Sequence, residues 1–279
     1  MSNPNFNYSG NLVYGGLTST NNDKLKSSGY ENTITNLNIG TKFEQYEDLY
    51  LTPGLDLSFD DLKVDSTASE KLKKQAGEFT EFNFNYGLEM DKRDRSFMPT
   101  KGNLTSFSQS IPMYAEDSYI RNSFSTSHYK EFSEDIIGAL KFSASAINGL
   151  NGDDVRVSKR SFLSSRKLRG FKAGKVGTKD GEDYIGGNYT TALNLEANFP
   201  NFFPEKSKAE VGSFFDAGNV WGVDYNDTID ESNEIRSSLG FNLSWLSPAG
   251  PMSFVISNNV SKASTDQDES FNFRLGTTF

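Results

Sequence analysis

Arg166, Lys167 and Arg169 crowd a six-residue stretch, Arg166-Lys167-Leu168-Arg169-Gly170-Phe171. A Gly-, Lys- and Asp-rich run follows it as far as Tyr184-Ile185-Gly186-Gly187-Asn188. A guanidinium is a planar fork suited to bidentate contact with a carboxylate, a geometry that Lys does not reproduce. The glycine permits left-handed backbone or close approach to a wall, and the phenylalanine offers a large apolar anchor. The chemistry available here is electrostatic clasping. Catalytic constellations are absent. His128 is the only histidine, and it reads as a polar residue on a strand or at a turn. It comes with no Gly-x-Ser-x-Gly elbow, no phosphate-binding glycine loop and no His-x-x-x-His metal pair. With no cysteine, neither a disulfide framework nor a thiolate metal site is possible. Asp153-Asp154 and Asp266–Glu269 could hold a divalent cation, but solvated loops are the better reading, as they are for Lys24–Lys26 and Lys71–Lys74. The expectation is a protein without enzymatic activity, cofactor or metal.

The elements around this stretch read as strands. The 279 residues carry 23 Phe and 12 Tyr, yet mean hydropathy is −0.57. Large rings in a chain that is polar on average imply apolar residues dispersed by alternation. Phe6, Tyr8, Leu12 and Tyr14 share one face of a first strand. Thr35 to Phe43, Leu49 to Phe59, Phe82 to Met90 and Ile136 to Ala146 alternate clearly, with weaker strands near 104–112 and 118–130. Beyond the basic stretch, Ile185 to Phe199, Val211 to Trp221, Leu239 to Trp245, Met252 to Ile256 and Phe271 to Phe279 complete about twelve strands of period two. Connections near 15–32, 61–77, 148–184, 222–233 and 261–270 are long or polar, and those near 45–48, 131–134 and 246–251 are short. Short turns on one side and long loops on the other predict an all-β, antiparallel transmembrane barrel. The connection at 113–117 breaks the pattern by being short.

No window of about 20 apolar residues supplies a transmembrane helix, but a barrel strand needs only about 9–11 residues. A soluble β-sandwich is the bland alternative. Tyr14, Trp221, Trp245 and Phe279 near strand ends, where interfacial girdles sit, favour the barrel, and a polar lumen accounts for faces rich in Asn, Ser, Thr and Glu. Strand parity places Glu196 with Asn188, Thr190 and Asn194, and Asp216 with Gly212 and Gly218. Both carboxylates therefore point into the lumen from adjacent strands. The net charge of −9 argues against a nucleic-acid partner. Residues 1–279 read as one barrel domain. The first residues lack the basic and apolar regions of a signal peptide, so an exported form would be mature or partial.

At Leu168-Arg169-Gly170-Phe171 the chain resembles the BamA family of outer-membrane barrel insertases. The context carries the resemblance. Asp91-Lys92-Arg93-Asp94 and Pro99-Thr100-Lys101-Gly102 resemble that family's periplasmic turn, with Asp91, Arg93, Asp94, Pro99 and Gly102 as its marks. Phe162, Gly186-Gly187-Asn188, Asn194-Leu195-Glu196, Phe215 to Trp221, Ser247 to Pro251 and a terminal strand ending in Phe279 follow in the family's order. The resemblance implies a loop folded into the lumen, with Arg169 meeting Glu196 and Asp216, Gly170 close to the wall and Phe171 packed inside. It also implies a seam between terminal strands, here 6–14 and 271–279, involving Phe273, Leu275, Gly276 and Phe279. Its family has about sixteen strands, together with periplasmic POTRA domains, so a partial chain or a reduced member is expected. The implied location is the cell outer membrane, integral. The implied partners are lipid, including lipopolysaccharide, and client outer-membrane proteins. Assembly-machine lipoproteins would be recruited through the missing periplasmic domains. Insertion of client barrels is the implied function, with a polypeptide-secreting barrel or a structural surface antigen as alternatives.

Overall fold

Alternation of large apolar residues with short polar ones produces one antiparallel sheet in the computed structural model, which describes residues 2–6, 10–225, 229–230, 233–247 and 250–276. The strands, in chain order, begin with β1 (Ser2–Phe6), β2 (Asn11–Lys24), β3 (Tyr30–Tyr46), β4 (Leu49–Val64), β5 (Gly77–Asp91), β6 (Gly102–Ala115), β7 (Tyr119–Ser133) and β8 (Ile136–Gly149). The inserted loop holds β9 (Gly170–Phe171), β10 (Lys179–Asp180) and β11 (Asp183–Tyr184). Next come β12 (Tyr189–Phe199), β13 (Ala209–Trp221), the short β14 (Ile229–Asp230), β15 (Arg236–Ser247), β16 (Gly250–Ser261), β17 (Asp268–Glu269) and β18 (Phe271–Leu275). Two single-turn helices, α1 (Leu25–Ser28) and α2 (Glu70–Lys73), cap connections. The main sheet has thirteen strands, each paired with the next in chain order, except that β8 pairs directly with β12, β13 with β15 and β16 with β18, the short strands between them leaving the wall.

Register assigns the two faces. Asn194 stands opposite Lys141 and Asp216, and Glu196 opposite Ala139 and Phe214. Asp60, Glu81, Asn194 and Asp216 are buried on this inner face. Leu37, Ile39, Leu55, Phe59, Phe241 and Ile256 lie exposed on the other. A contiguous apolar exterior around a buried polar interior is the arrangement of a barrel wall in lipid, not of a sandwich in water. The loop fills the interior through two apolar clusters. One joins Val157 and Ile185 to Tyr30, Leu62, Ala68 and Leu72. The other joins Leu163, Leu168, Phe171 and Val176 to Ala192 and Val220.

Several boundaries differ from expectation. Residues 15–32 are two long strands and α1, not a loop, because the ladder from Leu12↔Lys42 to Lys24↔Tyr30 runs beyond the apolar band. There the outward residues need no lipid and alternation fades. The 61–77 loop shrinks to 65–76 between β4 and β5 for the same reason. Residues 6–14 are not one strand: Phe6 and Asn11 close a β1–β2 hairpin, with Gly10 in the left-handed region. Tyr14 shares the inner face with Gly40 and Gly54, whose missing side chains leave room for its hydroxyl, so it is no girdle residue. Ile185 belongs to the loop, and its strand begins at Tyr189. The expected seam is not formed. Among the described residues β1 pairs only with β2 and β18 only with β16, and the sheet is not closed.

Phe215 lies mid-strand on the lipid face, so Phe215→Arg should cost about 2–4 kcal/mol in a bilayer, whereas Phe215→Leu should cost less. Urea titration of the two variants in vesicles reads the difference, and equal midpoints would count against this orientation of the wall.

Candidate functional site

Leu168, buried in the second cluster, fixes the loop one residue before Arg169. From there Arg169 Nε donates to Asp216 Oδ2 at 2.7 Å and Nη2 to Asp216 Oδ1 at 2.6 Å, a bidentate fork. The Arg169 backbone N–H reaches the same carboxylate at 3.0 Å. Nη2 also lies 2.9 Å from Glu196 Oε1, whose other oxygen accepts from Lys141 Nζ at 2.7 Å. Asn194 Nδ2 bridges Asp216 Oδ1 and the Lys167 carbonyl. The guanidinium stacks on Phe214 with Cζ 3.7 Å from the ring centroid. Asp216 is fully buried and Arg169 is 7% exposed. Ionised carboxylates at this depth persist only because cations and amide donors surround them.

Gly170 adopts φ +91, and a side chain there would strike Asn259 and Ser238. The left-handed turn lets β9 pair with β17, matching Glu269 to Gly170 and Asp268 to Phe171. The Ser238 hydroxyl donates to the Arg169 carbonyl. Phe171 is buried among Leu168, Val176 and Val220. One tripeptide thus contacts β12 and β13 by side chain, and β15 and the segment before β18 by backbone.

The 92–101 turn is built separately. Arg93 forks onto Asp91 at 2.9 and 2.8 Å. Asp94 accepts from the Thr100 N–H and hydroxyl at 2.9 Å each and from the Lys101 N–H at 3.2 Å. Burial opposes ionisation, but these donors hold the Asp94 carboxyl down at about 2. Gly102, at φ +95, passes against the Lys92 carbonyl, where no side chain fits. Pro99 lines a lumenal cavity of about 220 Å³ together with Arg166, Arg169, Glu196 and Arg274.

Residues 2–279 match the Omp85 superfamily domain. The chain belongs to the Omp85 superfamily. It is 28% identical over 239 residues to the outer membrane protein assembly factor BamA of Neorickettsia risticii, covering 84% of this chain and 32% of that one. The human sorting and assembly machinery component 50 homolog is 23% identical over 170 residues, 58% of this chain and 36% of that one. The chain spans about a third of the length of these curated relatives. Its fold matches the crystal structure of BamA from Haemophilus ducreyi lacking POTRA domains 1-3, with TM-score 0.85 and 21% identity over 98% of this chain and 60% of that one. CdiB from Escherichia coli superposes less closely, at TM-score 0.57 and 15% identity over 94% of this chain and 48% of that one. The protein is an integral outer-membrane protein with the strand architecture of an Omp85 barrel.

In this Omp85 chain the terminal residues are placed unevenly. Phe273 and Leu275 face outward on β18, with Phe273 paired to Phe254. Gly276 ends the strand at φ +81 with open space around it and donates its N–H to the Pro251 carbonyl. Phe279 lies outside the described residues. His128 points outward from β7. Asp266 is not solvated as expected: it is buried and pairs with buried Arg236 at 2.9 Å. Among the described residues no group of three acidic or histidine side chains could hold a metal.

Sequence reasoning missed two ionic centres. Glu81 accepts from Arg156, from Lys159 at 3.0 Å and from the Tyr119 hydroxyl at 2.9 Å, and Arg156 stacks on Phe79 at 3.7 Å. Asp60 accepts from Asn32 at 2.7 Å and Ser158 at 2.9 Å. Parity alone put Glu81 and Asp60 on polar faces; the missing signal was the loop partner.

Arg169→Ala leaves Asp216 buried and unpaired, so it should destabilise the fold by about 3–5 kcal/mol. Arg169→Lys should rescue little, having no fork, and Lys167→Ala should cost least. Urea unfolding of the refolded variants ranks them, and an equal loss for Arg169→Ala and Lys167→Ala would refute the clasp. A second expectation follows from Asp94. Its folded-state value is depressed, so its stabilisation is complete above the ordinary carboxyl value of about 3.9 and is lost as pH falls through about 2. The stability difference between the native chain and Asp94→Asn should be flat above about pH 5 and shrink towards pH 2; a pH series of melting curves measures it, and a pH-independent difference would count against a charge effect.

Proposed function

We propose that this chain is the membrane-embedded part of an assembly factor that folds and inserts client barrel proteins at a free sheet edge. The observation that carries this reading is the short C-terminal strand β18, five residues paired with a twelve-residue β16, which leaves the sheet weakly held at that edge. Unpaired N–H and C=O groups are costly in lipid and template an incoming strand. The relatives, an outer membrane protein assembly factor and a sorting and assembly machinery component, support the same role. The protein works by pairing geometry and not by covalent chemistry. The buried loop favours insertion over secretion, since an exported polypeptide would need the lumen that Val157, Ile185 and Phe171 occupy.

The test exploits the absence of native cysteine. Cysteine is placed at Phe273 of the reconstituted chain and at successive positions of a client's terminal strand, and insertion of the urea-unfolded client is followed by its gel mobility without heating. Accelerated insertion with crosslinks confined to one strand register is expected. Insertion no faster than into empty vesicles, with crosslinks scattered over all positions, would overturn the proposal.

A further inference from the structure

The connection between β12 and β13, residues 200–208, is on the side of the short 47–48 and 134–135 turns, the periplasmic side by loop length. Its sequence Pro200-Asn201-Phe202-Phe203-Pro204-Glu205-Lys206-Ser207-Lys208 sets two lysines and two phenylalanines against one acidic residue, in a chain of net charge −9. Phe202 is largely exposed and meets Phe203 edge-on at 5.1 Å. Lys206 and Lys208 are exposed, and no ion pair to either occurs among the described residues. Lys208 holds φ +50, a conformation side-chain-bearing residues rarely adopt, and the Leu246 N–H donating to its carbonyl at 3.0 Å fixes it there. Strain held in place by a tie to the next strand marks a position worth a functional explanation.

Behind these lysines is a hollow of about 640 Å³ lined by Phe203, Ala209, Leu243 and Trp245. Ala209 opposes Trp245 and Val211 opposes Leu243 across the β13–β15 ladder, both on the outward, lipid-facing side. The hollow therefore opens into the bilayer. Its depth is fixed by the two tryptophans. Trp221 sits at the far end of β13, twelve residues from Ala209 (221 − 209), with its ring 5.8 Å from Tyr189. At about 3.3 Å per residue this is about 40 Å of strand, and at a tilt near 45° it covers about 28 Å of height, one hydrocarbon thickness. Trp221 and Trp245 thus mark opposite interfaces, and Lys206 and Lys208 stand at headgroup level in the periplasmic leaflet.

We infer that this hollow is a binding site for an anionic glycerophospholipid of the periplasmic leaflet, its phosphate between Lys206 and Lys208 and an acyl chain along Phe203, Leu243 and Trp245. Two cations beside an apolar slot match a lipid that carries a net negative headgroup. A zwitterionic lipid satisfies the slot but not both lysines. The site is outside the lumen and shares no residue with the Arg169 clasp or with β18.

The chain has only two tryptophans, so Trp221→Phe leaves Trp245 as the sole reporter. The refolded variant is placed in vesicles of zwitterionic phosphatidylcholine containing an equal, small mole fraction of either bromine-labelled phosphatidylglycerol or bromine-labelled phosphatidylcholine. Trp245 fluorescence should be quenched preferentially by the anionic lipid, with an apparent preference of about fivefold per lysine. The preference should disappear in Lys206→Gln/Lys208→Gln, whose exposed substitutions leave the strand ladder intact; gel mobility without heating checks folding. The Trp245→Phe chain, reporting from Trp221, should show no preference. Equal quenching of Trp245 by both lipids, a preference that survives the double glutamine variant, or the same preference at Trp221 would each overturn the site.

Discussion

The buried carboxylate of Asp216 constrains everything built around it. A carboxylate with no exposed surface must be answered by a cation and by hydrogen-bond donors. The wall alone cannot supply the cation, because its neighbours on the inner face are Asn194, Phe214 and Ser238. The cation arrives from the loop as Arg169, and once it is there, the rest follows geometrically. The fork fixes the guanidinium plane, Phe214 stacks beneath it, Glu196 shares Nη2 with Asp216, and Lys141 balances Glu196. Four strands, β8, β12, β13 and β15, are held in one network by a single side chain and its backbone.

The same logic recurs twice more. Arg156 and Lys159 of the loop answer Glu81 of β5, and Arg236 of β15 answers Asp266 just before β17. In each case a fully or nearly buried anion meets a cation from another segment, with a polar or aromatic contact completing the set. A polar lumen filled by protein cannot rely on water for these charges, so the charges themselves specify how the loop is seated. Apolar packing of Val157, Ile185, Leu168 and Phe171 supplies bulk burial, while the ion pairs supply register.

Much of this was legible in the alternation. The lipid-facing residues of β3–β5, β8, β12, β13 and β15 read correctly because a bilayer enforces period two. Glu196 and Asp216 were assigned to the lumen by parity alone. Legibility failed where that enforcement stops. Beyond the apolar band, β2 and the start of β3 carry Thr, Asn and Ser on both faces, so paired strands looked like a loop. Tyr14 mimicked a girdle residue because parity cannot see that Gly40 and Gly54 open a space inside. In the sequence Asp266 reads as part of a solvated acidic run because its partner, Arg236, is thirty positions away on a strand. Sequence patterns report which face a side chain takes, and seldom which distant charge it meets.

The clasp also divides the C-terminal end into a fixed part and a free part. Through β9 the loop pairs with Asp268 and Glu269, and the Ser257 N–H donates to the Ser270 carbonyl, so the chain is anchored up to Ser270. From Phe271 onward the anchorage includes one ladder with β16, side-chain contacts of Asn272 with Glu269 and of Arg274 with the Ser165 carbonyl, and the closing bond of Gly276. β18 is five residues long where β16 is twelve. A short edge strand held by a single ladder opens locally at lower cost than the long paired strands of the wall behind it. The Arg169 network therefore bounds the anchored part of the C-terminal sheet at Ser270, and among the described residues β18 beyond it is the strand held by the shortest ladder to its neighbour in that C-terminal part of the sheet.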